Sequence, residues 1–197
     1  MSNEYKIPEV GKFEKVSFDE FFKACKKRCD DLTEEKIRII YDDIKLPERK
    51  TAGAAGYDFY LPQAECFKPG VINKIPTGIK CKIEPGWWLS LMVRSSLGTK
   101  HNLRFANTIP VIDSDYYGCE ENEGHIFLPV VMDATCPDGI VTKEFIAAPG
   151  ERLCQGIFLP YGITVGDTTS ASRTGGFGST NSSSNRVLEV EPWRVNG

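Results

Sequence analysis

Apolar side chains near the start of the chain recur at the spacing of one helical face. Ser17 and Glu20 predict a capping box at the start of a first helix. Thr33 predicts the cap of a second helix, which we expect to end before Pro47. The positions expected to face inward are Phe18, Phe21, Phe22, Cys25 and Cys29 in the first helix and Ile37, Ile40, Tyr41 and Ile44 in the second. Such stripes are typical of burial against a core, so residues 1–46 are predicted to form a packed helical appendage.

From residue 47 onward, the pattern changes to short apolar runs separated by turns that contain Gly and Pro. The predicted strands are rich in Ile, Val, Phe and Trp and cover residues 71–75, 79–83, 87–93, 125–132, 140–146 and 152–159. Strands at this spacing, with no helical stripe between them, are typical of an all-β barrel or sandwich. The predicted fold class is therefore mainly β, with a β core over residues 47–165 and a short N-terminal helical extension.

The segment from residue 166 to 197 differs from both of these parts. Between residues 166 and 185, 16 of the 20 side chains are Gly, Ser, Thr or Asn, which is typical of a flexible linker. Arg173 and Phe177 interrupt this composition. A Gly-rich backbone beside a guanidinium is suited to wrapping a phosphate, because N–H groups and arginine both favour anions. The composition leaves both interpretations open: a linker, or an arm that binds phosphate.

Charge is distributed unevenly along the 197 residues. Residues 1–50 hold 12 Lys or Arg and 12 Asp or Glu, whereas residues 51–197 hold 12 basic and 15 acidic side chains. The net charge of −3 argues against a protein that coats nucleic acid, so no direct nucleic-acid partner is expected. It does not argue against a small anionic ligand, since a few cations neutralise such a ligand locally.

Cysteine usage and the length of the apolar runs predict a cytoplasmic protein. The seven cysteines include no Cys-x-x-Cys pair, and only two histidines accompany them. This pattern lacks the clustered ligands of a zinc site, so reduced thiols are expected. The apolar runs are much shorter than a membrane span, and the first residues lack the apolar stretch of a secretion signal. No membrane partner is therefore predicted.

Five short segments place chemically useful side chains at turns or strand ends. In chain order they are Asp58 after a small-residue loop, Arg94-Ser95-Ser96-Leu97-Gly98 after the Trp-rich strand, residues 107–118 on a turn-prone hairpin, Gln155 in an apolar strand, and Arg173 with Phe177 in the tail. Taken singly, each has a structural interpretation, such as turn capping by Asp113, a surface ion pair at Arg94 or sheet packing by Tyr116. Their order and joint presence favour one functional site.

Together, these segments resemble the five ordered motifs of the trimeric deoxyuridine triphosphate nucleotidohydrolases (dUTPases), over about residues 47–180. The matching segments are Gly-Tyr-Asp at 56–58, Arg-Ser-Ser-Leu-Gly at 94–98, Val-Ile-Asp-Ser-Asp-Tyr at 111–116, the strand around Gln155, and Gly-Gly-Phe-Gly-Ser-Thr at 175–180. The N-terminal helices and an insert at 119–124 are similar to a subgroup from Gram-positive bacteria and their phages. The resemblance implies a jelly-roll-like β fold, a homotrimer with shared active sites, and hydrolysis of dUTP to dUMP and diphosphate, which limits uracil in DNA.

The resemblance also implies a role for each matching residue. Asp113 corresponds to the general base that orients water for attack on the α-phosphorus, and Tyr116 to the residue beneath the deoxyribose. The other residues implied to bind substrate are Asn107, Val111, Ile112 and Phe127 at uracil, Arg94, Ser95, Ser96 and Gln155 at the phosphates, Arg173 at the γ-phosphate, and Phe177 closing over uracil. Mg²⁺ is implied to ride on the triphosphate, with Asp58 contacting it only through water.

Two departures from the family pattern fall inside these motifs. Pro110 stands where the family usually has Gly before Val-Ile-Asp, which removes one backbone donor and fixes φ. In the tail, Arg173 precedes Phe177 by four residues, whereas many members separate the pair by five. We expect the first to alter the uracil pocket and the second to alter the reach of the arginine.

Two other interpretations stay open at this point. The related dCTP deaminases share the fold and an Arg-Ser-Ser-Leu-Gly segment, but they need a catalytic Glu in the strand after the hairpin. Residues 125–131 contain no Glu, which disfavours deamination. The second alternative is a nucleotide-gated regulatory protein, whose N-terminal appendage would offer a surface to a protein partner. The implied location is a bacterial cytosol or a phage-infected cell.

Overall fold

Strands dominate the computed structural model, which describes residues 6–136, 139–140 and 143–171. The strands are β1 (Gly11–Lys15), β2 (Tyr57–Tyr60), β3 (Glu65–Phe67), β4 (Ile72–Pro76), β5 (Ile79–Ile83), β6 (Trp87–Val93), β7 (Leu103–Phe105), β8 (Val111–Ile112), β9 (Phe127–Met132), β10 (Thr135–Cys136), β11 (Gly139–Ile140), β12 (Phe145–Ala147) and β13 (Arg152–Pro160). The helices are α1 (Phe18–Arg28), α2 (Glu34–Asp42) and α3 (Ser95–His101), with a 3-10 turn at Ser114–Tyr116. The mainly β fold expected from the sequence is confirmed.

Two antiparallel sheets organise the described part of the chain. One has the strand order β2-β13-β6-β8 and the other the order β4-β9-β7. Shorter ladders join β1 to β5, β3 to β12 and β10 to β11. The longest ladder pairs β6 with β13 from Val93 opposite Cys154 to Trp87 opposite Pro160. Because β8 is the outer strand of its sheet, one of its edges faces away from β6.

Alternation along the strands fills a single hydrophobic core. In β5, Ile79, Cys81 and Ile83 are buried, whereas the two lysines between them point outward. At the centre of the long ladder, the backbone of Gly156 approaches its neighbours so closely that a Cβ would lie 2.9 Å from a methyl group of Leu89. Replacing this glycine would therefore displace the packed side chains of Leu89, Phe59 and Leu91.

Both helices predicted near the start of the chain are confirmed, with one change at the first cap. The Ser17 side chain accepts a hydrogen bond from the Glu20 N–H at 3.2 Å, and the Thr33 side chain accepts one from the Lys36 N–H at 3.4 Å. The Glu20 carboxylate does not complete the capping box, because it lies against His125 instead. Thus the sequence correctly predicted both helix starts, and tertiary contacts redirect one side chain.

The N-terminal segment shares the core of the β strands. β1 precedes the first helix and pairs with β5 over its full length. Phe21 and Cys25 of α1 and Ile37 of α2 are buried in the same cluster as the strand residues. The turn between β4 and β5 packs against the residues that follow α2, because a Cβ at Gly78 would lie 2.3 Å from the Cδ1 atom of Ile44. Ile44 was predicted to belong to the second helix, but α2 ends at Asp42. The division at residues 46 and 47 remains a division predicted from sequence.

Several local predictions were wrong. The strand predicted at 140–146 is divided between β11 and β12, and residues 143–144 carry no strand. Cys29, predicted to face inward, is exposed because α1 ends before it and it forms the C-cap. β1, α3 and β7 were not predicted, because each is short and depends on pairing or packing with distant residues.

His125 is completely buried where α1 meets the β4–β5 turn. Its Nε2 atom accepts a hydrogen bond from the Gly78 N–H at 2.8 Å, so Nε2 carries no proton. The proton therefore resides on Nδ1, which lies 3.1 Å from the Glu20 carboxylate. Burial lowers the pKa of His125 below its ordinary value of 6.5, and the nearby Lys74 acts in the same direction, while Glu20 and Glu123 offset part of the effect.

The six cysteines whose side chains are described are free thiols, as the sequence predicted for them: Cys25, Cys29, Cys66, Cys81, Cys119 and Cys154. Within the described ranges, no helix has the length and apolar character required to cross a membrane.

The buried histidine predicts a specific dependence of stability on pH. A lowered pKa in the folded state means that the unfolded chain takes up a proton first as the pH falls below about 6.5, so folding loses stability towards acid. The contribution of His125 to the free energy of unfolding is fully present above that pH. Below it, this contribution declines by up to about 1.4 kcal/mol per pH unit. The variant His125→Gln keeps a hydrogen-bond acceptor and a donor but does not titrate. We therefore expect its free energy of unfolding to fall less steeply towards acid pH than that of the wild-type protein.

Urea unfolding of both proteins between about pH 7.5 and pH 5.5 measures this difference. If the free energy of unfolding changes equally with pH in the wild-type protein and in His125→Gln, then His125 does not contribute a buried neutral imidazole.

Candidate active site

Cross-strand pairing brings two of the predicted site residues together in the first sheet. Asp58 in β2 lies opposite Gln155 in β13, and Gln155 lies opposite Met92 in β6. Arg94 follows β6 directly, and its N–H donates to the Leu153 carbonyl of β13. The first, second and fourth motifs are therefore neighbours at one end of this sheet.

Asp58 holds two guanidinium groups beside each other. Its carboxylate is buried, with the residue 7% exposed. One oxygen accepts from Arg152 at 3.0 Å, and the other lies 3.7 Å from the Nε atom of Arg94. Each guanidinium carries five N–H donors, so both keep donors for an anion after pairing with Asp58. The Asp58 carboxylate thus fixes the positions of the Arg94 and Arg152 guanidiniums.

An open cleft of about 520 Å³ lies next to these guanidiniums. Its lining residues are Lys50, Tyr60, Arg94, Leu97, Gly150, Glu151 and Arg152. Lys50 and Arg152 were not among the predicted site residues. Arg152 could have been found from the sequence, because it lies three residues before Gln155 in the same motif. Lys50 lies outside the motifs, and only the folded structure places it at the cleft. The lining contains three cations and one carboxylate, Glu151, while Asp58 pairs with the two guanidiniums and Glu48 with Lys50. The N–H donors that the guanidiniums keep after this pairing make the cleft suitable for an anion.

Ser95 and Ser96 occupy the first turn of α3, directly after Arg94. The Leu97 and Gly98 N–H groups donate to the Arg94 carbonyl at 3.0 and 3.1 Å, which fixes the start of the helix. The first N–H groups of a helix have no intrahelical acceptor, and Ser95 and Ser96 each add a hydroxyl to this turn. This turn therefore adds neutral donors to the charged end of the sheet.

Gln155 lies over the small-residue loop that precedes β2. Its side chain approaches Gly56 so closely that a Cβ there would come within 2.7 Å of the Gln155 Oε1 atom. The side chain is half-buried rather than fully solvent-facing. Glycine at position 56 is thus required for the amide to reach the end of the sheet near Asp58.

A second group of predicted residues surrounds the outer strand β8. Asn107 lies in the turn between β7 and β8, where the Ile109 N–H donates to the Asn107 carbonyl at 2.7 Å. Val111 is 44% exposed, whereas Ile112 points into the core. Pro110 is compatible with this place because it precedes the outer strand, and its carbonyl accepts from the Leu91 N–H at 3.2 Å.

Asp113 and Tyr116 follow β8 directly. Asp113 is half-exposed and caps the 3-10 turn, with its carbonyl accepting from the Tyr116 N–H at 3.2 Å. The Tyr116 ring is buried, with 1% of the residue exposed. Its hydroxyl donates to the His125 carbonyl at 2.7 Å and accepts from the Asn122 amide at 2.9 Å. The side chains that bury the Tyr116 ring must move before the ring can contact a sugar. Packing of Tyr116 beneath the deoxyribose therefore stays a prediction.

Phe127 starts β9 and lies near the same region. Its ring is half-buried, with its centroid 4.3 Å from that of His125 and 4.9 Å from the Lys74 ammonium. Arg173 and Phe177, predicted in the tail, lie outside the described residues.

The register of β6 separates the two groups. Leu89 pairs with Ile112 and Ser90 with Val111. Continued by one residue, this register places Asp113 opposite Trp88, near the start of β6, whereas Arg94 follows its end. These positions are six residue-to-residue steps apart along the strand, which corresponds to about 20 Å. Within one chain, the cationic end of the sheet and Asp113 are thus far apart.

The described residues do not form a metal cage. They contain no group of three or more His, Cys, Asp or Glu side chains suitable for a metal ion. Asp58 directs its two oxygens at guanidiniums. The described residues therefore do not supply a cation with a full set of direct protein ligands.

Comparisons with known proteins agree on one family. The dUTPase family model matches residues 42–122. The deoxyuridine 5'-triphosphate nucleotidohydrolase of Lactococcus lactis is 39% identical over 139 residues, which cover 70% of this chain and 88% of that protein. The crystal structure of dUTPase from Streptococcus mutans is 32% identical, with a TM-score of 0.57 and coverage of 78% of this chain and 98% of that one.

A more distant structure shares the fold. A mutant dUTPase from phage phi11 of S. aureus, described with a structural Mg(II) ion, is 15% identical, with a TM-score of 0.55. The match covers 83% of this chain and 98% of the phage protein.

The paired guanidiniums predict that the cleft binds a polyphosphate. We expect Arg94→Ala to weaken binding of tripolyphosphate about tenfold or more, because a charge-assisted hydrogen bond contributes roughly 1.5–3 kcal/mol. Isothermal titration calorimetry on the intact protein measures this change. Arg104→Ala is the matched control, because it removes the same charge from the other sheet, where Arg104 pairs with Asp133 at 2.8 Å. Equal losses in both variants would indicate nonspecific electrostatics rather than a site.

Proposed function

The chain belongs to the dUTPase family, and we propose that it hydrolyses dUTP to dUMP and diphosphate. The observation that supports this most directly is the buried Asp58 holding Arg94 and Arg152 beside an open cleft. A polyphosphate needs fixed cations with free N–H donors, and this arrangement supplies them. The product diphosphate keeps the same charged contacts until it leaves.

We propose that the phosphates bind at the end of the first sheet. Arg94 neutralises charge, while Ser95 and Ser96 donate hydrogen bonds from the first turn of α3, with Ser95 near the bridging oxygen that leaves. Gln155 contacts the region of the α-phosphate from the neighbouring strand. Arg173 of the C-terminal arm binds the γ-phosphate. These contacts act mainly by positioning the triphosphate and by neutralising charge that develops as diphosphate departs.

We propose Asp113 as the general base. Its carboxylate orients a water molecule and accepts a proton from it as the water oxygen bonds to the α-phosphorus in line with the leaving diphosphate. The half-exposed position of Asp113 at the start of a 3-10 turn leaves the side chain accessible to such a water. Because a carboxylate is a weak base, positioning supplies most of the rate.

Selectivity for deoxyuridine is proposed to come from the region around β8. The backbone of Val111 and Ile112 lies in an outer strand whose ladder with β6 fixes its groups in space, which suits them to reading the edge of uracil. Asn107 and the main chain at Phe127 complete this pocket, and Phe177 of the arm closes over the base. Tyr116, whose residue is 1% exposed, packs beneath the deoxyribose once the side chains that cover it move, and excludes a 2′-hydroxyl.

We propose that Mg²⁺ accompanies the triphosphate. When bound, it neutralises part of the phosphate charge. Asp58 is the residue that would contact it, through water, while keeping its two guanidinium partners.

A homotrimer with shared sites is the proposed assembly. Arg94 and Asp113 of one chain are separated along β6 by about 20 Å, which is further than a triphosphate spans. We propose that a second copy supplies Asp113 to the phosphates bound by the first. Closed symmetric assemblies make each such interface equivalent, so three copies form three identical sites.

The reaction proposed here limits uracil in DNA by removing dUTP, and we place it in the cytosol of a bacterium or a phage-infected cell. The alternative of a dCTP deaminase is disfavoured because residues 125–131 contain no Glu. A partner at the N-terminal helices remains a proposal. The apolar faces at Phe21, Cys25 and Ile37 are buried in the core, so such a partner would meet the charged outer faces.

The proposed base predicts a selective loss of turnover in Asp113→Asn. The amide keeps the shape of the side chain but cannot accept the proton, so we expect kcat to fall by about 10²-fold or more. Binding of a non-hydrolysable dUTP analogue should stay within about threefold of wild type, since the phosphate contacts are intact. Diphosphate release and calorimetry measure the two quantities.

Asp115→Asn is the matched control, because Asp115 is an exposed carboxylate in the same 3-10 turn. An Asp113→Asn variant that turns over dUTP like the control would identify a different base.

A further inference from the structure

The N-terminal segment is fastened to the segment that links Asp113 to Phe127 by three side-chain contacts at regular spacing. We refer to them as the N-terminal latch, which consists of Glu14 with Tyr117, Ser17 with Glu123, and Glu20 with His125. The N-terminal members are three residues apart, and their partners lie within nine residues of one another. Two parts of the sequence about a hundred residues apart are thus joined at successive points.

The two outer contacts of the latch lie near the surface. The Tyr117 hydroxyl donates to the Glu14 carboxylate at 2.6 Å. The Ser17 N–H donates to Glu123 at 3.1 Å, the Ser17 hydroxyl contacts the same carboxylate, and Lys80 pairs with it at 2.9 Å. Glu123 thus occupies the place at the helix cap that the sequence assigned to Glu20. This exchange frees the Glu20 carboxylate for a buried partner.

The inner contact is enclosed. His125 is completely buried, and its Nε2 atom already accepts from the Gly78 N–H. The Nδ1–H therefore has Glu20 as its acceptor at 3.1 Å. A buried N–H that loses its acceptor costs more free energy than a surface one, because water does not replace the missing partner. Removing the Glu20 carboxylate therefore shifts or loosens His125.

His125 in turn holds Tyr116. The His125 carbonyl accepts from the Tyr116 hydroxyl at 2.7 Å, and the His125 N–H donates to the Asn122 carbonyl at 2.9 Å. The Asn122 side chain donates to the same tyrosine hydroxyl at 2.9 Å. At Gly124, a Cβ would lie 2.5 Å from the Tyr116 carbonyl oxygen. The tyrosine is thus fixed both at its hydroxyl and along its backbone.

We propose that Glu20 is a positioning residue for sugar selection, acting through His125 on Tyr116. This inference rests on the proposed function, in which Tyr116 excludes a 2′-hydroxyl beneath the deoxyribose. Exclusion by shape works only when the excluding ring is held still, because a ring that can recede accepts the larger sugar. The first helix therefore contributes to the choice between dUTP and UTP through His125.

The test compares kcat/KM for dUTP with kcat/KM for UTP on the same preparation. This ratio is independent of the fraction of protein that is folded, so a purely structural defect leaves it unchanged. We expect Glu20→Ala to lower the ratio about fivefold, as loss of one hydrogen bond would. Glu20→Gln keeps an acceptor oxygen for the Nδ1–H, so its ratio should return to within about twofold of wild type.

Asp19→Ala is the matched control, because it removes an exposed carboxylate from the same turn of α1. Its ratio should equal that of wild type. A Glu20→Ala variant with the wild-type ratio, or one no different from Asp19→Ala, overturns the proposal.

Two further measurements keep the outcome decisive. If Glu20→Ala does not fold, Glu20→Asp is the second variant, because it draws the carboxylate back from the His125 Nδ1–H by one methylene. A lowered ratio supports the role of Glu20, and an unchanged ratio overturns it. Turnover of dUTP and UTP by the wild-type protein distinguishes failure of this inference from failure of the proposed function on which it rests. Equal turnover of dUTP and UTP by wild type would contradict sugar selection itself, whereas strong selection retained in Glu20→Ala would contradict only the role of Glu20.

Discussion

The pairing register of β6 is the constraint on which the proposed site depends. Because Leu89 lies opposite Ile112, Asp113 is placed at the start of β6 while Arg94 follows its end. Neither residue can move along the strand without exposing the buried side of the sheet, since a one-residue slip reverses every side chain. The cations and the proposed base are therefore separated along β6 within one chain, which is the reason we propose that a second copy completes the site.

Each half of the proposed site is stiffened by a different set of polar contacts. At the cationic end, the buried Asp58 fixes the directions of Arg94 and Arg152. Near β8, the N-terminal latch holds the segment that contains Tyr116, and its inner contact is the enclosed Glu20–His125 pair. Since the two halves are built independently, substitutions in the latch should leave phosphate binding largely intact, whereas substitutions at Asp58 should disturb it.

Local signals in the sequence predicted much of this arrangement. Ser17 and Thr33 marked the helix starts, and β5 and β6 have the bounds expected from their apolar runs. Contacts between distant residues were not predictable. β1 has a charged sequence and exists through its pairing with β5, and Lys50 reaches the cleft only in the fold. The burial of Tyr116 and the diversion of Glu20 to His125 likewise depend on tertiary packing.

Subunit mixing tests the shared site most directly. Asp113→Asn and Arg94→Ala chains are each expected to be inactive, but a site with Arg94 from one copy and Asp113 from another is intact. Equal amounts refolded together should recover about one quarter of wild-type dUTP hydrolysis, because random assembly of a symmetric oligomer joins two intact halves at that frequency. Activity no greater than the sum of the separate variants would place both residues in one chain's site and contradict the account.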